Sequence, residues 1–110
     1  MSCKEIMKLE GYKFAEIIDM KREDFDKALS MSEMNVGTLE SLRKLLSLHY
    51  EQMQVQVNAL TELVVSEDTC DADKEQALST IKQMYLIMFS MEYKASAIYS
   101  KVQKLQEQLS

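Results

Sequence analysis

The last third of the chain, from Ala77 to Leu109, reads ALSTIKQMYLIMFSMEYKASAIYSKVQKLQEQL. Small or apolar residues recur in this segment at alternating steps of four and three positions. They are Ala77, Ile81, Met84, Met88, Met91, Ala95, Ile98, Val102, Leu105 and Leu109. This spacing keeps one stripe of a helix turned toward a partner for about nine turns. The segment therefore predicts a long helix that lies against other helices.

Two further helices are predicted upstream. Apolar residues recur on one face from about residue 3 to 34 and again from about 39 to 65. Between them, Asn35-Val36-Gly37 predicts a break, because Asn and Gly both accept the left-handed conformation that ends a helix. Thr38 is expected to cap the second helix.

A second break is expected from Ser66 to Ala72, which is acidic and has no large apolar group. Asp73 followed by Gln76 predicts a capping box for a third helix over about 74–109. Long helices joined by short loops pack antiparallel. The predicted fold is therefore all-α, an elongated antiparallel three-helix bundle with coiled-coil-like packing.

Composition supports one helical domain. With 110 residues, the chain is long enough for one modest core, so we expect a single domain over residues 1–110. It has no proline and two glycines, whereas an all-β domain needs many turns built from those residues.

The charge pattern excludes some classes of partner. The net charge is −5, and the acids Glu67, Asp68, Asp71 and Asp73 crowd the second break without a base among them. No stripe of Lys and Arg could neutralise a row of phosphates, so nucleic-acid binding is not expected.

Neither an apolar leader nor a membrane span is predicted. Charged residues interrupt the start of the chain, and the apolar stretch from Met84 to Met91 is too short to cross a bilayer. We therefore expect a cytoplasmic protein, in which Cys3 and Cys70 remain thiols. The predicted bundle places these two cysteines at the same end, so a disulfide between them stays an alternative.

The sequence does not predict an enzyme, a metal site or a cofactor site. His49, the one histidine, lies on an apolar helix face without a carboxylate or nucleophile one turn away, which favours a structural role. Asp71-Ala-Asp73 resembles the start of a calcium loop, but Gln76 stands where that loop requires glycine and Lys82 where it requires glutamate.

The third helix carries the candidate contact surface. Its segment from Met84 to Met91 is apolar nearly all round, so a three-helix bundle would cover only part of it. Met and Tyr side chains also suit surfaces that bind apolar partners. The predicted partner-binding residues are Met84, Tyr85, Leu86, Ile87, Met88, Phe89, Met91, Tyr93 and Tyr99. The expected partner is another protein, a second copy of the chain, or both, in a homodimer or heterodimer formed through helices.

Three functions fit this pattern. The first is a helical adaptor or chaperone; in size, acidity and helical pattern the chain is similar to small chaperones of bacterial type III and flagellar export systems. That resemblance implies a cytoplasmic protein that masks an export substrate's apolar helix. The second is an immunity protein or antitoxin-type inhibitor that uses the acidic residues 67–73. The third is a secreted or structural helical hairpin, since the turn at residues 35–37 is similar to that of small WxG-type proteins, although tryptophan is absent.

Overall fold

The computed structural model describes residues 5–109, and in that part of the chain every regular element is helical. A short 3₁₀ turn, Leu9–Gly11, is followed by four α-helices. These are α1 (Phe14–Asp19), α2 (Arg22–Met31), α3 (Val36–Val65) and α4 (Asp71–Leu109). The molecule is flat, with extents of 58 × 41 × 17 Å.

An antiparallel hairpin of α3 and α4 forms the frame of the fold. Residues 66–70 connect the two helices, so the start of α3 lies beside the end of α4. The facing apolar stripes make most of the core. The buried residues are Leu39, Leu42, Leu46, Met53 and Val57 from α3, and Ala77, Met88, Met91, Ile98 and Val102 from α4. The four-three spacing of the sequence correctly predicted the buried and half-buried stripe of α4 from Ala77 to Leu105, whereas Leu109, its last member, is exposed.

The helix predicted over residues 3–34 is wrong as a continuous element. Backbone torsions are extended at Tyr12 and Lys13, and again at Met20 and Lys21, and these breaks separate the 3₁₀ turn, α1 and α2. The charged residues at the start of α2 include few apolar side chains, so the apolar face of α1 does not continue across the break at Met20 and Lys21. The part of the predicted helix at residues 3–4 lies outside the described residues.

The helix starts also differ from prediction. α3 begins at Val36 because the side chain of Asn35 accepts a hydrogen bond from the Thr38 N–H at 2.8 Å, which makes Asn35 rather than Thr38 the cap. None of the described residues has a positive φ, so the expected left-handed turn at residues 35–37 is wrong. α4 begins at Asp71, which places Asp73 within its first turn instead of at its cap.

The segment of the 3₁₀ turn, α1 and α2, which we call the N-terminal segment (residues 9–31), packs against one face of the hairpin. Phe25, Ala28 and Leu29 of α2 are buried in the shared core. The Phe14 ring meets the His49 ring of α3 edge-on, with 6.0 Å between ring centroids. His49 is therefore half-buried against an aromatic ring, in a structural setting.

Candidate functional site

Two lysines of α4 anchor the N-terminal segment. The Lys94 ammonium is completely buried and donates hydrogen bonds to the carbonyls of Ile17, Ile18 and Met20, at 2.8, 2.7 and 2.8 Å. Ile17 and Ile18 belong to the last turn of α1, whose carbonyls have no partner within the helix. Lys94 therefore closes the carboxyl end of α1 from a distant part of the chain.

Lys101, two turns further along α4, does the same for α2. Its ammonium donates to the Leu29 carbonyl and, at 3.0 Å, to the Ser32 carbonyl. Desolvation by burial lowers the pKa of both Lys94 and Lys101. No local pattern in the sequence indicates these contacts, because the carbonyls that the two lysines bind lie about seventy positions away in the chain.

Tyr93, a predicted partner-binding residue, also faces the N-terminal segment. Its hydroxyl donates to the Asp26 carboxylate at 2.6 Å, and the Arg22 guanidinium lies 4.2 Å from the ring centroid. The hydrogen bond to Asp26 raises the pKa of Tyr93. Tyr93 is thus engaged within the protomer.

The methionines of the predicted contact surface mostly serve the core. Met88 and Met91 are buried, and Met84 is half-buried against the same cluster. A partner docking on this structure could not reach Met88 or Met91 without opening the hairpin.

Within residues 5–109, no further helix packs on the opposite face of the hairpin. Lys94 lies on the side of α4 that faces the N-terminal segment. Tyr85 precedes Lys94 by nine residues, and at about 100° per residue this places Tyr85 on the opposite side of the helix. On this side the Tyr50 side chain of α3 is hydrogen-bonded to the Glu92 carboxylate, which raises the pKa of Tyr50. A shallow depression between the helices is lined by Leu46, Tyr50, Met91 and Ala95, among others.

Exposed residues follow a four-three pattern along this open face. We call them the outer strip: Leu78, Lys82, Tyr85, Phe89, Glu92 and Ser96, with Leu86 beside them. The exposed fraction is 45% for Leu78, 39% for Tyr85, 70% for Leu86 and 57% for Phe89. The rings of Tyr85 and Phe89 are stacked, with 6.1 Å between their centroids. Tyr85, Leu86 and Phe89 line one shallow depression together with Lys82, and this is the apolar centre of the outer strip.

The two remaining predicted contact residues lie outside the outer strip, Ile87 on the opposite side of α4 and Tyr99 at the margin of the strip. Ile87 is more than one-third exposed, on the side of α4 toward the N-terminal segment. Tyr99 is about half exposed, and the Arg43 guanidinium lies 5.3 Å from its ring centroid. Neither side chain is enclosed by the protomer.

The acidic residues of the alternative site lie at one end of the hairpin. Glu67, Asp68, Asp71 and Asp73 are all exposed, and no ion pair involves them within residues 5–109. Asp68 and Asp73 line one depression with the exposed Cys70. Cys3 lies outside the described residues, so a disulfide between these cysteines stays an alternative prediction.

Residues 5–109 contain neither a metal-binding cluster nor a membrane-spanning helix. No group of three or more His, Cys, Asp and Glu side chains is close enough to hold a metal ion. No helix in that range is both long and apolar enough to cross a membrane.

No protein-family model, curated protein or solved structure matches this chain. Its function has to be inferred from the geometry of its own residues.

Proposed function

We propose that this chain is a small helical adaptor of the chaperone type, which binds an amphipathic helix of another protein on the open face of its hairpin. The observation that carries the proposal is the outer strip, where Leu78, Leu86 and Phe89 remain exposed while the N-terminal segment packs against the other side of α4. Contiguous apolar groups of this size on a soluble protein mark an interaction surface.

The shape of the surface supports a helical partner. The outer strip follows the four-three spacing that a second helix meets by knobs-into-holes packing. The N-terminal segment keeps the other side of α4 occupied, so a partner helix would meet one face only. We propose further that α4 and its partner helix pack in a coiled-coil-like manner. The chain would act in the cytoplasm on a client such as an export substrate.

The alternative function places the contact at the acidic end of the hairpin. The exposure of Asp68, Asp71 and Asp73 leaves their charges available to a basic partner such as a nuclease, as an immunity protein or antitoxin would require. The two surfaces lie on different parts of the molecule, so substitutions can separate them.

A comparative capture experiment tests the proposal. The wild-type chain, Phe89→Glu and the triple variant Asp68→Asn/Asp71→Asn/Asp73→Asn are each used to capture proteins from the native host. Val55→Glu serves as the control, because Val55 is exposed on α3 outside both the outer strip and the acidic end of the hairpin.

The adaptor function predicts a partner that binds the wild type, the control and the triple variant but not Phe89→Glu. A partner lost only with the triple variant would replace this proposal by the inhibitor function. A partner whose recovery is the same with all four proteins would contradict both.

A further inference from the structure

The outer strip has a property that a surface made for an unrelated helix does not need: it is complementary to itself. The residues of the outer strip lie at equal distances in sequence before and after Ile87. A two-fold axis perpendicular to α4 at the position of Ile87 sets a second α4 antiparallel to the first and places Tyr85 opposite the second copy's Phe89. The same operation places Lys82 opposite the second copy's Glu92, and Leu78 opposite its Ser96.

We propose that a second copy of this chain covers the outer strip, through a two-fold antiparallel contact of α4 with α4 centred at Ile87. The inference deepens the proposed function, on which it rests, by naming the first partner of that surface. In this dimer a client helix gains access to the outer strip by displacing the second copy.

Charge selects the antiparallel orientation. Lys82 and Glu92 are both exposed, and Lys82 forms no ion pair with any residue of the described part of its own chain. The antiparallel pairing makes two Lys82–Glu92 contacts between copies, one on each side of the axis. A parallel in-register pairing would instead place Lys82 against Lys82 and Glu92 against Glu92, which like charges oppose.

The apolar centre supplies the attraction. In the antiparallel register the stacked Tyr85 and Phe89 of one copy meet the same pair of the other, so four aromatic rings cluster at the axis. The paired region from Leu78 to Ser96 spans roughly 27 Å of helix.

A single helix pair of this length is small for a protein interface. We therefore expect a dimer that dissociates at concentrations on the order of micromolar, so that a client can displace it.

Charge exchange with sedimentation velocity tests the register. The wild type should dimerise over the micromolar range, and Lys82→Glu and Glu92→Lys should each be monomeric. Mixing those two variants, or combining both substitutions in one chain, should restore the dimer. Lys104→Glu is the matched control, because Lys104 is exposed on α4 away from the outer strip. Circular dichroism checks that every variant remains helical.

Cysteine pairing tests the same register by distance. With Cys3 and Cys70 replaced by serine, a mixture of Tyr85→Cys and Phe89→Cys should oxidise to a mixed dimer. Each variant alone should cross-link several-fold less. Preferential cross-linking of Tyr85→Cys with itself, or failure of the double charge exchange to restore the dimer, would overturn the proposed contact.

The two proposals fail in different ways. A wild type that stays monomeric at high concentration, while host capture still depends on Phe89, overturns the dimer and leaves the adaptor function. A dimer with the expected charge and cross-linking pattern, but without Phe89-dependent capture, supports the self-contact and overturns the adaptor function.

Discussion

Replacing Lys94 by Met should loosen the N-terminal segment from α4. Met is similar in length and apolar, so it fills much of the same space but donates no hydrogen bond. The carbonyls of Ile18 and Met20 then lose their donor, whereas that of Ile17 keeps a bond from the Met20 N–H at 3.4 Å.

The magnitude follows from those two carbonyls. A carbonyl left without a donor inside the fold costs about 1–3 kcal/mol, and these two carbonyls are partly buried. Removing the buried ammonium offsets part of this cost, because burial already disfavours the charge and lowers the pKa of Lys94. We expect a net loss of about 2 kcal/mol in the free energy of unfolding, which corresponds to a fall in Tm of roughly 10 °C for a domain of this size.

Thermal unfolding followed by circular dichroism is the assay. Lys104→Met is the matched control, since Lys104 is exposed on the same helix, and its Tm should stay near that of the wild type. Hydrogen exchange should also show faster exchange in α1 and α2 of Lys94→Met than in α3. A Tm for Lys94→Met equal to that of the control would refute the anchoring role.

Three further outcomes test the structure. Asn35→Ala should cost about 1 kcal/mol by loss of the α3 cap, whereas Thr38→Ala should not; equal melting curves for the two would reject the cap assignment. The folded pKa of Tyr93 is raised above the ordinary value of 10.0, so the contact with Asp26 should stabilise the fold below that pH and be lost as the pH rises through the raised pKa. The pKa of Tyr50 is raised as well, so tyrosinate absorbance should show a late phase whose amplitude becomes smaller, without vanishing, in Tyr93→Phe; an unchanged amplitude would contradict this. Met88→Asp buries a carboxylate in the core and should abolish cooperative melting; a stable helical variant would show that Met88 is not enclosed.

The long helices were predictable because the spacing of apolar residues within each segment of the sequence is enough to indicate a helix. The stripe of α4 repeats along the sequence, and the buried side chains Met88 and Ile98 occupy the positions that the repeat assigns to the core. The break near residue 66 was predictable for the same reason, since charges replace apolar groups there.

The breaks in the N-terminal segment were not predictable from periodicity. Lys94 and Lys101 satisfy the carboxyl ends of α1 and α2 from far along the chain, and no local pattern marks a lysine as such a partner. For the contact surface, the sequence identified the apolar segment of α4 but did not show which of its residues are buried in the core and which are exposed. Leu86 and Phe89 differ from Met88 only in helical phase relative to α3 and the N-terminal segment.

The central claim is that the outer strip is exposed in the single protomer and covered by a second copy. The most direct test is an NMR measurement, at two protein concentrations, of how exposed the leucine methyl groups are to a soluble paramagnetic chelate. At low concentration the methyls of Leu78 and Leu86 should relax rapidly, like those of exposed Leu63, whereas those of buried Leu46 should not. At high concentration Leu78 and Leu86 should become protected while Leu63 stays exposed. Protection of Leu86 already at low concentration would show that the chain covers its own outer strip, and exposure unchanged at high concentration would show that no second copy covers it.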